Sequence, residues 1–192
     1  MQVIELILDE GEDATGVFAI SIVEEPAIES NFIALSKADK VELAEVDTEK
    51  RLLMGAALIP NKMIYRRDGD DEFNVFFSKS TIRKVSELFF KNHAQSESTL
   101  EHEMKLQGLT VVESWIVEDT KRDKTAVHNL SVPVGSWMVS VKVDNDDIWQ
   151  EFVKTGKVKG FSIEGYFADK TNLNKQDPNA QLIEDLKDVL KG

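Results

Sequence analysis

The sequence predicts an α+β fold in which strands predominate and a few helices accompany them. Three observations carry the prediction. Short apolar runs bounded by turn-forming residues recur along the chain: VIELIL (3–8), RLLMGAALIP (51–60), EFNVFFS (72–78), LTVVESWIVE (109–118), GSWMVSVKV (135–143) and VKGFSIEGYF (158–167). Such runs, too short for helices and rich in Val, Ile and aromatics, read as strands. Two longer segments instead place their apolar residues at helical spacing behind capping residues. Between strand candidates, RRDGDD (66–71) supplies Asp68-Gly69, a pair that tolerates positive φ and suits a hairpin.

Taken in order, VIELIL is a short strand followed by the turn-like EGEDATG (10–16). The next stretch, GVFAISIVEEPAIESNFIALSK (16–37), fits neither a clean strand nor a clean helix, and Pro26 interrupts it. A charged connector, ADKVELAEVDTEK (38–50), leads to a boundary near Asp47. RLLMGAALIP and EFNVFFS then read as hairpin partners. In SKSTIRKVSELFFKNH (78–93), Ile82, Val85, Leu88 and Phe89 share a face behind serine cap candidates, so a helix follows. HAQSESTLEHEMKLQG (93–108) reads as a polar loop. In DNDDIWQEFVKTG (144–156), Asp144 or Asn145 caps a helix whose buried stripe is Ile148, Trp149, Phe152 and Val153, and Gly156 ends it. The polar TNLNKQDPNAQ (171–181) precedes a short C-terminal helix with Leu182, Ile183, Leu186, Val189 and Leu190 on one side. The expected organisation is an N-terminal extension (1–47), a principal domain (48–170), and a C-terminal linker with its helix (171–192).

Composition narrows the function. Of 192 residues, 23 are Lys or Arg and 35 are Asp or Glu, for a net charge of −12. That balance disfavours sequence-independent binding to nucleic acid or anionic lipid, and points to protein partners. With no cysteine there is no disulfide framework, thiolate zinc site or cysteine nucleophile. The N-terminus has no basic leader, and its apolar run is short and broken by Glu5, so neither a signal peptide nor a membrane span is expected. DGDDE (68–72) lacks the ligand spacing of a calcium loop. The aspartates of DNDDI need no metal, since acidic groups are favoured at a helix N-terminus. No cofactor and no metal are called for.

The candidate chemistry lies in VKGFSIEGYF, where Ser162 interrupts an apolar strand between Gly160 and Gly165. Glycine inside a strand marks a bulge or the close approach of another backbone, here read as room for a substrate chain beside the hydroxyl. The surroundings differ from the nucleophile elbow of α/β-hydrolases, because Glu164 stands where glycine is required and no helix follows. A serine nucleophile needs a base, and the histidines are His93, His102 and His128. His93 ends the first helix, where capping accounts for it; His128 lies in a connection; His102, in LEHEM, precedes the VVESW strand. For the acidic third member, Glu113 is flanked by apolar residues, Glu164 shares the strand face of Ser162, and Asp119 is a further alternative.

The ordered set MGAALIPNKMIYR, FFSKSTIRKVSELFF, LEHEM, VVESWIVED, GSWMVSVKV, DDIWQEFVKTG and KGFSIEGYF, over roughly residues 50 to 168, resembles the tailed-bacteriophage prohead proteases, the capsid-maturation serine peptidases. GVFAISIVEEPAIESNFIALSK is similar to the opening of prohead core proteases. The resemblance implies a herpesvirus assemblin-like fold, a mostly antiparallel β-barrel flanked by helices. It implies Ser162 as nucleophile, His102 as base and Glu113 as the acidic member. Assemblins place arginines after the serine, whereas the last arginine here is Arg122, so oxyanion stabilisation would fall to backbone N–H groups or a lysine. The implied partners are scaffold and major capsid proteins, cleaved inside the assembling prohead in the host cytoplasm. Self-cleavage, with Leu8-Asp9-Glu10-Gly11 as a candidate site, and activation through a homodimer are further implications. The rival readings are a non-catalytic prohead core protein of the same fold and a small esterase.

Overall fold

The structure is a computed structural model and describes residues 1–9, 15–28, 33–35 and 50–171. The boundary near Asp47, Glu10 and Gly11 of the candidate self-cleavage site, and the C-terminal helix lie outside the described residues. The strands are β1 (Gln2–Ile7), β2 (Gly16–Val23), β3 (Ile33–Leu35), β4 (Leu52–Leu58), β5 (Ile64–Asp68), β6 (Asp71–Phe77), β7 (Ser98–Leu100), β8 (Met104–Leu106), β9 (Leu109–Ile116), β10 (Trp137–Val143), β11 (Gly160–Tyr166) and β12 (Ala168–Asp169). They assemble into three four-stranded sheets, in the orders β12-β1-β6-β5, β3-β4-β10-β9 and β11-β2-β7-β8.

The α+β class is the one expected, but the described strands form no closed barrel. Closure needs staggered hydrogen bonding all the way round. Here every sheet ends on edge strands, several of them only two or three residues long. The pairing is mostly antiparallel, as expected, with two parallel exceptions, β1 with β6 and β2 with β7.

Pro60 separates β4 from the next strand, and Asn61 turns the chain at φ 58°. The partner of β6 is therefore β5, through the turn that Gly69 makes at φ 59°, and not RLLMGAALIP as the sequence suggested. β4 lies instead between β3 and β10, with both faces buried. Near the N-terminus, β1 pairs with β6 and β12, and β2 sits between β11 and β7. Every residue of β2 except Phe18 is buried. A strand covered on both faces loses the alternation that identifies strands, which is why this run looked irregular in the sequence.

Helix α1 (Lys79–Lys91) begins where the Ser78 hydroxyl accepts the Thr81 N–H. It buries Ile82, Val85 and Phe89 as expected, while Leu88 is half-buried. Phe89 meets Trp137 edge to face, with ring centroids 5.4 Å apart. Trp137 is fully buried, and its indole N–H donates to Ser114 Oγ at 2.8 Å. After a short helix α2 (Lys124–Val127), the Asn145 side chain caps α3 (Asp146–Ile148), which runs into a π turn at Trp149–Val153.

Gly165 answers part of the question raised by the glycines around Ser162. A Cβ there would lie 2.4 Å from the Gly16 carbonyl oxygen and 2.9 Å from the Phe167 ring. At this point the β11–β2 ladder slips by one residue, so that Glu164 faces Ala19 but Gly165 faces Val17. The close backbone is the protein's own, rather than a substrate's. Gly165→Ala is expected to lower stability by about 1–3 kcal/mol, the usual cost of overpacking, read as a lower urea midpoint. An unchanged midpoint would show that the bulge gives way at no cost.

Candidate active site

Ser162 lies in the middle of β11, directly opposite Ser21 of β2, and Ser21 is in turn opposite Thr99 of β7. Residues facing each other across a sheet project to one side, so three hydroxyl side chains form a row. Glu164 is two residues beyond Ser162 and shares its face. The hairpin from β7 to β8 then brings in His102, through a turn in which Glu101 and His102 have φ of 51° and 61°. Two successive non-glycine residues in this region cost about 1–2 kcal/mol each. Several hydrogen bonds hold the turn. Glu101 N–H donates to the Ile22 carbonyl at 3.2 Å, Glu103 N–H to the Leu100 carbonyl at 3.0 Å, and His102 N–H to Ser21 Oγ at 3.0 Å. The Glu101 carboxylate accepts the Glu24 N–H at 2.7 Å.

The imidazole Nδ1 of His102 lies 3.2 Å from Glu164 Oε1, and the Thr99 hydroxyl donates to the same oxygen. The Glu164 side chain is 19% exposed and that of His102 43%. An ionised carboxylate only accepts hydrogen bonds, so it selects the tautomer with the proton on Nδ1 and leaves the Nε2 lone pair free. This is the arrangement of a general base with its orienting acid.

Ser162 is 9% exposed, and its Oγ is not among the sealed oxygens that lack a partner. Among the described residues it makes no hydrogen bond, with His102 or any other. Two residues apart on a strand span about 6–7 Å, a gap that one imidazole bonded at both nitrogens bridges. Catalytic hydrogen bonds are often open until substrate arrives.

The other sequence candidates lie elsewhere. Glu113 is on β9, in a different sheet, opposite Ser140 of β10. Its carboxylate pairs with Lys124 Nζ at 2.5 Å, and this hydrogen bond holds it below the usual carboxylate range. The structure therefore does not bring Glu113 to His102; Glu164 occupies that place. Asp119 accepts the Lys121 N–H in the loop after β9. His93 stands past the end of α1 at φ 56°, its N–H donating to the Phe90 carbonyl, and His128 caps the C-terminus of α2. Neither Ser21 nor Thr99 was singled out from sequence. The signal was nevertheless present in FAISIV, one hydroxyl in an apolar run, the same feature that marks Ser162 in GFSIEG.

The Glu113–Lys124 pair predicts a pH effect. Glu113 is more acidic in the folded state, so its stabilisation is present above its ordinary value of 4.5 and fades as the pH falls through the lower folded value. For a pair this exposed it is expected to be below about 1 kcal/mol. Glu113→Gln should melt slightly below wild type at neutral pH, and the two should converge in acid; a difference that widened in acid would contradict this.

Residues 39–172 match the family described as "Putative phage serine protease XkdF". The chain belongs to this family. The matched region holds Thr99, His102, Ser162 and Glu164, and begins after β2. This phage serine protease family member has no significant match among curated proteins or among solved structures.

Proposed function

We propose that the protein is a serine endopeptidase of phage head assembly, with Ser162 as nucleophile, His102 as base and Glu164 as the group that orients it. The observation that carries the reading is the His102 Nδ1–Glu164 hydrogen bond on the sheet face that bears Ser162. In the reaction, Nε2 accepts the Ser162 proton as Oγ attacks a peptide carbonyl, then passes it to the departing amine. Water hydrolyses the resulting acyl-enzyme by the same proton route in reverse. Oxyanion charge falls to backbone N–H groups.

The substrates are scaffold and major capsid proteins within the assembling prohead in the host cytoplasm, with self-cleavage as a further activity and a homodimer as the active form. An assemblin-like fold belongs to the same proposal. Family membership and the negative charge, −12, which suits protein partners better than DNA, support it. A non-catalytic head-assembly protein is the second reading, favoured by the open gap between Ser162 and His102. Coexpression of wild type or Ser162→Ala with the scaffold and capsid proteins of the same phage, followed by mass analysis, separates the two. Fragments that vanish in the variant are expected; identical fragment patterns would leave the assembly reading.

A further inference from the structure

We infer that Ser21, on a strand outside the family-matched region, is a positioning residue for His102. This rests on the protease reading above. Ser21 is completely buried, yet it is hydrogen-bonded at both ends of its hydroxyl: Oγ accepts the His102 N–H at 3.0 Å and donates to the Thr99 carbonyl at 3.3 Å.

Its place in the sheet gives that small network its effect. β2 is the strand between the one carrying Ser162 and the one leading into His102. Ser21 is the cross-strand neighbour of Ser162 on one side and of Thr99 on the other. The separation between nucleophile and base is thus set through this residue. The other hydrogen bonds that hold the left-handed turn run between backbone groups, or from the Glu24 N–H on the rim to the Glu101 carboxylate. Ser21 supplies the side-chain contact to His102's own backbone. A hydroxyl suits the task because it can accept and donate at once. Without it, the His102 N–H loses its partner, and the bonds that remain at the turn hold Glu101, Glu103 and the His102 ring rather than the His102 amide. A displacement of about 1 Å in a catalytic group can lower the rate by about 10²-fold.

The test uses the full-length chain and a fluorophosphonate probe, whose attachment at Ser162 is followed by intact mass and peptide mapping. Amide exchange at His102 is measured in parallel by NMR. Wild type is expected to label and Ser162→Ala not to label. Ser21→Ala should fold cooperatively, label about 10²-fold more slowly and exchange the His102 amide faster. Ser21→Thr, which restores the hydroxyl, should recover most of both. Should alanine fail to fold, Ser21→Cys keeps the branching of the side chain with a slightly larger and weaker acceptor, and is judged by the same criteria. Wild-type labelling with Ser21→Ala, or an unchanged His102 amide, overturns the inference. Absence of labelling in wild type would instead remove the protease reading, and His102 amide exchange alone would then decide whether Ser21 holds the turn.

Discussion

Ser162→Ala is expected to reduce peptide cleavage by on the order of 10⁴- to 10⁶-fold, the loss seen when a serine nucleophile is removed from an otherwise intact site. The substitution isolates chemistry from folding unusually well. Ser162 Oγ makes no hydrogen bond among the described residues, so alanine leaves none of their polar groups unsatisfied. The residue is on a regular stretch of β11 before the bulge, where its Cβ already has space. The melting temperature should therefore stay near that of wild type. Retained cleavage would exclude Ser162 as nucleophile whatever the family, while a large fall in melting temperature would make the loss of activity uninformative and point to a structural serine.

The second large effect is expected from a pair of glutamates compared side by side. Glu164→Gln should lower the rate of cleavage by about 10²- to 10⁴-fold, with little change in KM. Glutamine keeps an oxygen that can accept the Thr99 hydroxyl, but it can also present its amide N–H₂ to Nδ1. That favours the opposite tautomer, with the proton on Nε2, and a protonated Nε2 cannot accept from Ser162. The ¹⁵N shifts of the His102 ring report the tautomer directly. Glu113→Gln should cleave within about twofold of wild type, because its carboxylate is engaged by Lys124 in another sheet. If Glu113→Gln were the inactive variant and Glu164→Gln the active one, the assignment of the orienting acid would be reversed and the hydrogen bond to His102 would be structural.

The two glutamates also show where reading the sequence reaches its limit. Both stand in apolar strands, and spacing cannot distinguish a carboxylate that faces an imidazole from one that faces a lysine on the following helix. Glu164 could be placed on the face of Ser162 because strand side chains alternate, which is a local rule. The identity of its partner depends on a hairpin some sixty residues earlier in the chain. Ser21 and Thr99 escaped notice for the same reason: one lies in a run whose burial on both faces erased its alternation, the other in a polar stretch read as a loop. Of the elements around the site, β11, β9, β10 and α1 were legible because each carries its own signal, in periodicity or in a cap. The short strands β7 and β8 are held by pairing and carry almost none. The hairpin partner of β6 is not the run that periodicity suggests, because Pro60 and Asn61 end β4 before the Gly69 turn.

What the sequence by itself determined is the α+β class, a net charge of −12, the absence of cysteine, and the position of a serine within an apolar strand. These depend on composition and on contacts within a few residues. Tertiary structure alone decided that the described strands pair into three open sheets, that β2 joins the strand of Ser162 to the hairpin of His102, and that Glu164 rather than Glu113 meets the imidazole. The physical reason is that register and sheet order are set by hydrogen bonds between strands far apart in the chain, and a shift of one residue moves every side chain to the other face.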